Sequence, residues 1–362
     1  MSPVKAAHEL SPMAPPLLVP AKPPVSHRLP AVFAPAPEAV PDWTRVRKLA
    51  LRQLNRFAGL EAKVLKGDDR RAVHDLRVSS RRLQQLLDLL FPAPAKDVRR
   101  LRRKVRTARR ALSEVRNCDV HLERVERALA RRRTSQRPTW EAVRGYLLER
   151  RAASFEKAVR KLGKANIPGV HRRLKEHLGP RPGGAKHSAP VQPPAVAASP
   201  HRAPGAAPWQ ENARAALARV WRDYAAHIAE SLRQPATPDL HAARIATKRL
   251  RYLAEVLAAL GQPGSAEVLA SLRRLQAHLG DWHDLEVFEQ MLVGMVARPK
   301  FLAAHLETAM AAEKLIVRNR RAKKNYEGRY FAMMLNSVES ERLRVWVGSL
   351  LAEPLPALPD AG

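Results

Sequence analysis

The stretch "VHDLRVSSRRLQQLL" at residues 73–87 decides the fold. Val73, Leu76, Leu83, Leu86 and Leu87, continued by Leu90, recur at three- and four-residue spacing, which predicts a helix with an apolar back. At roughly 100° per residue, Arg77, Arg81 and Gln84 fall within roughly 80° of His74, on the side away from the leucines. The helix therefore pairs a packing face with a cationic front.

The same helix is written a second time. "LHAARIATKRLRYLA" at 240–254 sets His241 over His74, Arg244 over Arg77, Lys248 over Arg81, Arg249 over Arg82, Leu250 over Leu83 and Leu253 over Leu86, an offset of 167 residues. That offset also places Arg214 over Arg47, Arg219 over Arg52, Tyr224 over Phe57 and "LGDWHDLEV" (279–287) over "LSEVRNCDV" (112–120). One register held from about 47 to 120 marks a duplicated helical unit. In the second copy His241, Arg244, Lys248 and Arg251 share a stripe, with Leu240, Leu250, Leu253 and Leu257 broadly opposite.

Charge narrows what such a unit is for. The 362 residues carry 65 Lys and Arg against 34 Asp and Glu, a net charge of +31. Self-repulsion on that scale costs stability, and implies a polyanionic partner: nucleic acid, an anionic membrane surface or a phosphate polymer. Cys118 is the only cysteine, which excludes a disulfide within the chain and a thiolate zinc cluster and fits a reducing cytoplasm. The proline-broken opening does not read as a secretion signal. No later apolar run approaches the ~20 residues that span a bilayer.

Residues 1–41 are rich in Pro and Ala and read as a disordered arm; 179–208, "GPRPGGAKHSAPVQPPAVAASPHRAPGAAP", reads as a linker. Between and after them, 42–178 and 209–352 show helical periodicity with almost no strand signal, so each is expected to be a helical bundle. Residues 353–362 read as a tail. Breaks are predicted at "KGDD" (66–69), "FPAPA" (91–95), "RQPATPD" (233–239) and "GQPG" (261–264).

The helix after "FPAPA" is strongly basic. Arg99, Arg102, Arg103, Arg106, Arg109 and Arg110 cluster opposite Leu101, Val105, Ala108 and Leu112, although like charges three and four apart destabilise a helix. Of these positions the second half keeps only Arg273, over Arg106; Leu269, Ala270 and Ala277 stand over Arg102, Arg103 and Arg110. A solvated basic face accounts for most runs of charge, but a histidine and three cationic positions repeated in one order are more than solubility requires. Arginine suits phosphate because its planar fork donates two parallel hydrogen bonds and keeps its proton. Histidine adds donors whose charge a neighbouring anion favours.

These residues resemble the CHAD domain, the conserved histidine α-helical domain. The resemblance rests on H-x-x-R-x-x-x-[RK]-R-L, present as "HDLRVSSRRL" and "HAARIATKRL", on "KRLRYxxE" from Lys248 to Glu255, and on "LGxxxD" at Leu279, Gly280 and Asp284. It implies an all-α fold of two bundles related by a pseudo-twofold axis, with a basic groove or pore between them that binds inorganic polyphosphate. It also implies phosphate ligands at His74, Arg77, Arg81 and Arg82 and at His241, Arg244, Lys248 and Arg249. Arg251 extends the second stripe, and Arg106 and Arg273 add to it from the following helices. The first copy departs from the pattern with Ser113 and Asn117 where the second has Gly280 and Asp284. No ExExK signature of an attached triphosphate-tunnel enzyme is present. The expectation is a non-catalytic, cytoplasmic protein without metal or cofactor, associated with polyphosphate granules and offering protein partners its N-terminal arm.

Three other chemistries compete for the same residues. A metal-dependent phosphohydrolase of the HD type would use His74-Asp75 and His283-Asp284, yet Asp75 is Ala242 in the other copy and His283 is Arg116, and a metal site does not tolerate a cation among its ligands. A phosphohistidine carrier needs one exposed histidine rather than two set in positive charge. Non-specific DNA or RNA binding is the stronger alternative, since backbone contacts by Lys and Arg suffice for it. Against it, aromatics are only 5% of the chain, leaving little for bases to stack on, and no duplex-reading motif is visible. Trp221, Trp282, Trp346 and Cys118 read as packing residues, His121, His171, His227 and His278 show no recurring partner spacing, and "RNRRAKK" (318–324) reads as a solvated helix face or, as the alternative, an outer guide for the polyanion.

Overall fold

A computed structural model of the chain describes residues 43–67, 69–131, 136–179, 208–233, 236–334 and 337–356. The proline-rich arm, nearly all of the linker and the last six residues of the tail lie outside the described residues. Those described form twelve helices and no strand, so the chain is all-α. In order they are α1 (Trp43–Leu65), α2 (Arg70–Leu90), α3 (Lys96–Ala111), α4 (Ser113–Leu129), α5 (Arg137–Ala165), α6 (Ile167–Leu178), α7 (Pro208–Arg233), α8 (Thr237–Ala259), α9 (Ser265–Val296), α10 (Pro299–Ala304), α11 (Leu306–Met334) and α12 (Val338–Leu351). Helices α2 and α8 start 167 residues apart, the interval between the two sequence copies.

Local chemistry explains the boundaries. Asp69 caps α2 by accepting a hydrogen bond from the Ala72 amide at 2.8 Å, and Pro92 and Pro94 follow its end at Phe91. Asn166, in the left-handed region at φ 52°, both ends α5 and caps α6 by accepting from the Gly169 amide at 3.0 Å. Gly264, at φ 69°, turns the chain into α9.

The leucine backs do what their periodicity predicts. Val73, Leu76, Leu83, Leu86, Leu87 and Leu90 are buried, as are Leu240, Leu250, Leu253 and Leu257 and the α3 residues Leu101, Val105 and Ala108. Each buried leucine contributes roughly 1.5–3 kcal/mol relative to exposure. One core joins these residues to the apolar sides of α1, α6, α7 and α12. A second is built from Cys118, Leu122, Trp140 and Leu147 together with Phe288, Met291, Leu292 and Leu315. Both cores draw on both halves of the sequence, within one unit spanning Val40–Gly362.

The two halves differ at one joint. Between α3 and α4 the chain breaks at Leu112 (φ −88°, ψ 7°), whereas α9 continues unbroken through Leu279 and Gly280, the matching positions.

Candidate functional site

Helices α2 and α8 pack against each other, each with its leucines in the core, and this brings the two cationic rows within electrostatic reach. Arg81 donates to the Tyr252 hydroxyl at 3.4 Å, and its guanidinium carbon lies 5.9 Å from the centre of that ring. Arg251 covers the same ring from 4.2 Å. Next along the helices, Glu255 accepts from Arg82 of α2 at 3.0 Å and from Arg251 of α8. Gln276 of α9 accepts from Arg251 as well.

Arg77 is held by the break after α3. Its guanidinium donates to the Arg109 carbonyl and to the Ser113 hydroxyl, each at 2.8 Å. The Arg109 carbonyl is one of those a helix end leaves without an intrahelical partner, so Arg77 caps α3 while remaining in the cationic row. Arg109 in turn donates to Gln84 at 2.9 Å, which fixes it beside Arg77 and Arg81.

The electrostatics follow from this crowding. Burial, then Arg81, Arg109 and Arg116, pull Arg77 down to about 9. Burial, then Arg81 and Arg106, bring Arg109 to about 10. Across the helix pair, burial lowers Arg244 to about 10, with Asp284 opposing and Arg81 adding to the effect. Lys248 is driven well below its ordinary value by burial and then by Arg244, Arg81 and, more weakly, Arg77. Guanidinium groups in this range stay charged at neutral pH, so the shifts measure like charges held together out of water.

The histidines feel the same field. His74 is lowered by burial and by Arg116 and, less strongly, Arg81 and Arg77, with Asp75 pulling the other way. His241 is lowered by burial, Arg244 and Lys248. His283, with its ring centre 5.0 Å from that of His241, is pushed down to about 3 by burial and the same cations. Asp284 is the carboxylate beside Arg244 and Lys248, and burial raises its pKa even against their pull. Within this cluster two buried guanidinium nitrogens, Nε of Arg106 and Nε of Arg244, have no hydrogen-bond partner among the described residues. Leaving a charged donor unmatched costs several kcal/mol by the usual order of magnitude.

The residues expected from the sequence thus fall into three sets. His74, Arg77, Arg81, His241, Arg244 and Lys248 are brought together, and Arg106 adjoins them through Arg109. Arg82 and Arg251 sit at the edge of this cluster, tied to Glu255. Arg249 is turned away from it, pairing with Asp223 of α7 at 3.4 Å, and Arg273 is exposed and makes no hydrogen bond or ion pair with it among the described residues. Four further neighbours, which sequence reasoning does not single out as site residues, are Arg109, Arg116, Tyr252 and Asp284. Arg109 is visible in the basic row of α3 and Tyr252 in the "KRLRY" continuation, but their placement depends on how α2, α3 and α8 meet.

Among the described residues no group of three or more His, Cys, Asp and Glu side chains could hold a metal ion. No described helix is long and apolar enough to cross a membrane. Trp221, Trp282, Trp346 and Cys118 are buried, and burial pushes the Cys118 thiol up to about 12. In the 318–324 run, Arg318, Arg320, Arg321 and Lys324 are exposed. Arg320 there pairs with Glu289 at 2.7 Å, and Lys323 bridges Glu286 and Glu289.

Comparison with known proteins agrees with this architecture. The sequence model of the CHAD domain matches residues 48–293. The crystal structure of the CHAD domain from the plant Ricinus communis superposes with a TM-score of 0.51 at 17% identity, covering 87% of this chain and 92% of that one. PptA from Streptomyces chartreusis superposes with a TM-score of 0.53 at 18% identity, covering 80% of this chain and 98% of that one. No curated protein matches the chain.

Proposed function

This chain belongs to the CHAD family, and from that premise we propose that it binds inorganic polyphosphate without transforming it. The observation that carries the reading is the packing of α2, α3 and α8, which holds Arg77, Arg109, Arg244 and Lys248 largely out of water in one another's field. A protein that desolvates like charges in one place sacrifices stability there. A polyanion threaded among them reverses that cost, because each phosphate oxygen accepts charge-assisted hydrogen bonds from groups already fixed in position. Release of counterions from the polymer supplies further affinity and makes it salt-dependent.

A linear phosphate polymer suits the site better than nucleic acid. Tyr252, the aromatic residue within the cluster, is 5% exposed and has Arg81 and Arg251 lying over its ring, so it offers no open surface for a base to stack on. On this reading the assigned residues hold the polymer, and none is given the role of nucleophile, acid or metal ligand. On this reading the place to look for the protein is on cytoplasmic polyphosphate granules, with the proline-rich arm free to hold protein partners.

The test is a competition at physiological salt. Protein loaded with labelled polyphosphate should retain it when DNA is added at equal phosphate concentration. Ready displacement by DNA would favour the nucleic-acid reading instead. Replacing Arg77 and Arg81 with Glu should abolish polyphosphate binding while far-UV circular dichroism keeps its helical signal, and unchanged affinity in that variant contradicts the proposal.

A further inference from the structure

Helix α3 carries two rows of cations, and the site described above uses only one. Its inner row, Arg102, Arg106 and Arg109, is directed at α2: Arg102 donates to the Phe91 carbonyl and pairs with Asp88, and Arg109 donates to Gln84. The outer row is Lys96, Arg100, Arg103 and Arg110, with Thr107 completing the stripe at the four-three spacing of one helix face. All five outer residues are exposed. Among the described residues none of the four cations forms an ion pair, so this face lacks the alternating signs that serve solubility alone.

The second half has no such row. At the matching positions stand Pro263, Glu267, Ala270, Arg274 and Ala277, and Arg274 is neutralised by Glu339 at 2.6 Å. Like charges at three- and four-residue spacing destabilise a helix, and a purely structural α3 would be better served by the neutral pattern of α9. The row also ends beside the central cluster, since Arg110 directly follows Arg109, which donates to Gln84 of α2. From Lys96 to Arg110 it runs about 21 Å at the rise of an α-helix.

Resting on the proposed function, we infer that the exposed row of α3 is a second track for the same polymer, engaging the part of a long polyphosphate chain that emerges from the central cluster beside Arg109. A short polyphosphate fills the centre and never reaches the row. A long one contacts both, so the asymmetry of the two halves becomes a preference for chain length with a direction of exit on the first half.

The experiment is isothermal titration calorimetry of the full chain with two probes, tripolyphosphate and long-chain polyphosphate, for the wild type and for a triple variant carrying Arg100→Ala, Arg103→Ala and Arg110→Ala. Alanine keeps α3 helical, which circular dichroism verifies. The expected result is tripolyphosphate affinity within about twofold of wild type and long-chain affinity lower by about tenfold. The slope of log affinity against log salt should become shallower by about 2, at roughly 0.7 for each phosphate no longer neutralised. Unchanged long-chain affinity and salt slope in the triple variant overturn the second track while leaving the central site intact. An equal loss for both probes also overturns it, because the row would then act only through its general field. A wild type that binds neither probe removes the proposed function itself, and the track with it.

Discussion

Arg81 of α2 donates to the hydroxyl of Tyr252 on α8 at 3.4 Å, across 171 residues of sequence. This contact ties the two copies of the basic helix at the point where their charges meet, and the arginine–ring approach holds the guanidinium against a surface that does not neutralise it. Tyr252→Phe keeps the ring and removes the acceptor. The expected outcome is a stability loss of about 1 kcal/mol in urea unfolding and a several-fold weaker grip on polyphosphate. A double-mutant cycle with Arg81→Lys should show coupling of about 0.5–1 kcal/mol. Additive single effects would mean that the contact does not position Arg81.

How much of this is legible in the sequence differs from element to element. The helices around His74 and His241 are readable because their leucines recur with one period and every one of them is buried. The opposition of cationic front and apolar back then places His74, Arg77, Arg81, His241, Arg244 and Lys248 on the face away from the leucines, where the structure also has them. The joint at Leu112 is not readable. Ser113 stands over Gly280, and a glycine is the more usual mark of a break, yet the helix runs straight through Gly280 and stops before Ser113. The reason is tertiary: Arg77 satisfies both the Arg109 carbonyl and the Ser113 hydroxyl, and no single segment contains that information. Arg249 illustrates the opposite failure. It stands over Arg82 in the sequence, but Arg82 meets Glu255 across the helix pair and Arg249 meets Asp223 on α7, a difference set by which helices meet and not by the local pattern.

If the proposed site holds polyphosphate, its histidines should make binding pH-dependent. His74 and His241 are both lowered by burial and neighbouring cations, so each is mostly neutral near pH 7 in the free protein. A bound polyanion favours the charged imidazole, and binding should therefore take up protons and tighten as pH falls from about 7.5 to 5.5, around the ordinary histidine value. Calorimetry in buffers of different ionisation enthalpy measures the uptake directly. Zero uptake would place both rings away from the polymer.

Stability of the free protein should move the other way. His283 takes its proton at about 3 when folded, against 6.5 as its ordinary value, so the unfolded chain binds that proton first. Its contribution is fully present above about pH 6.5 and is lost as pH falls toward 3. Asp284, raised by burial, has the opposite sign: its contribution is present below its ordinary value and is lost as pH rises through the folded one. His283→Gln isolates the two. Between pH 7 and 5 the wild type should lose about 1 kcal/mol more than the variant, allowing for solvent screening of a group not fully buried. Equal slopes by urea denaturation would exclude His283 as the source.

Lys248 offers the sharpest separation of structure from function. It is crowded by Arg244 and Arg81, with Asp284 and Arg77 also in its field, and is held well below its ordinary pKa. If its charge serves the ligand, the free protein bears a penalty for keeping it. Lys248→Met removes that penalty at nearly constant volume, and buried charges replaced by apolar groups often stabilise by about 1–4 kcal/mol. That corresponds to a rise in Tm of at least about 2 °C, at about 2–4 °C per kcal/mol for a somewhat smaller domain. Polyphosphate affinity should fall by about tenfold in the same variant. Arg151 is the control, since it pairs with the fully buried Asp119 at 2.6 Å. Arg151→Met leaves that carboxylate only the longer contact with Arg70, at 3.9 Å, and should destabilise by about 3–5 kcal/mol while the folded fraction binds polymer normally. Opposite signs in stability and opposite outcomes in binding would identify Lys248 as a ligand of the polymer. A destabilised Lys248→Met with wild-type affinity would make its charge a structural one, and the central reading of the α2 and α8 pair would not survive it.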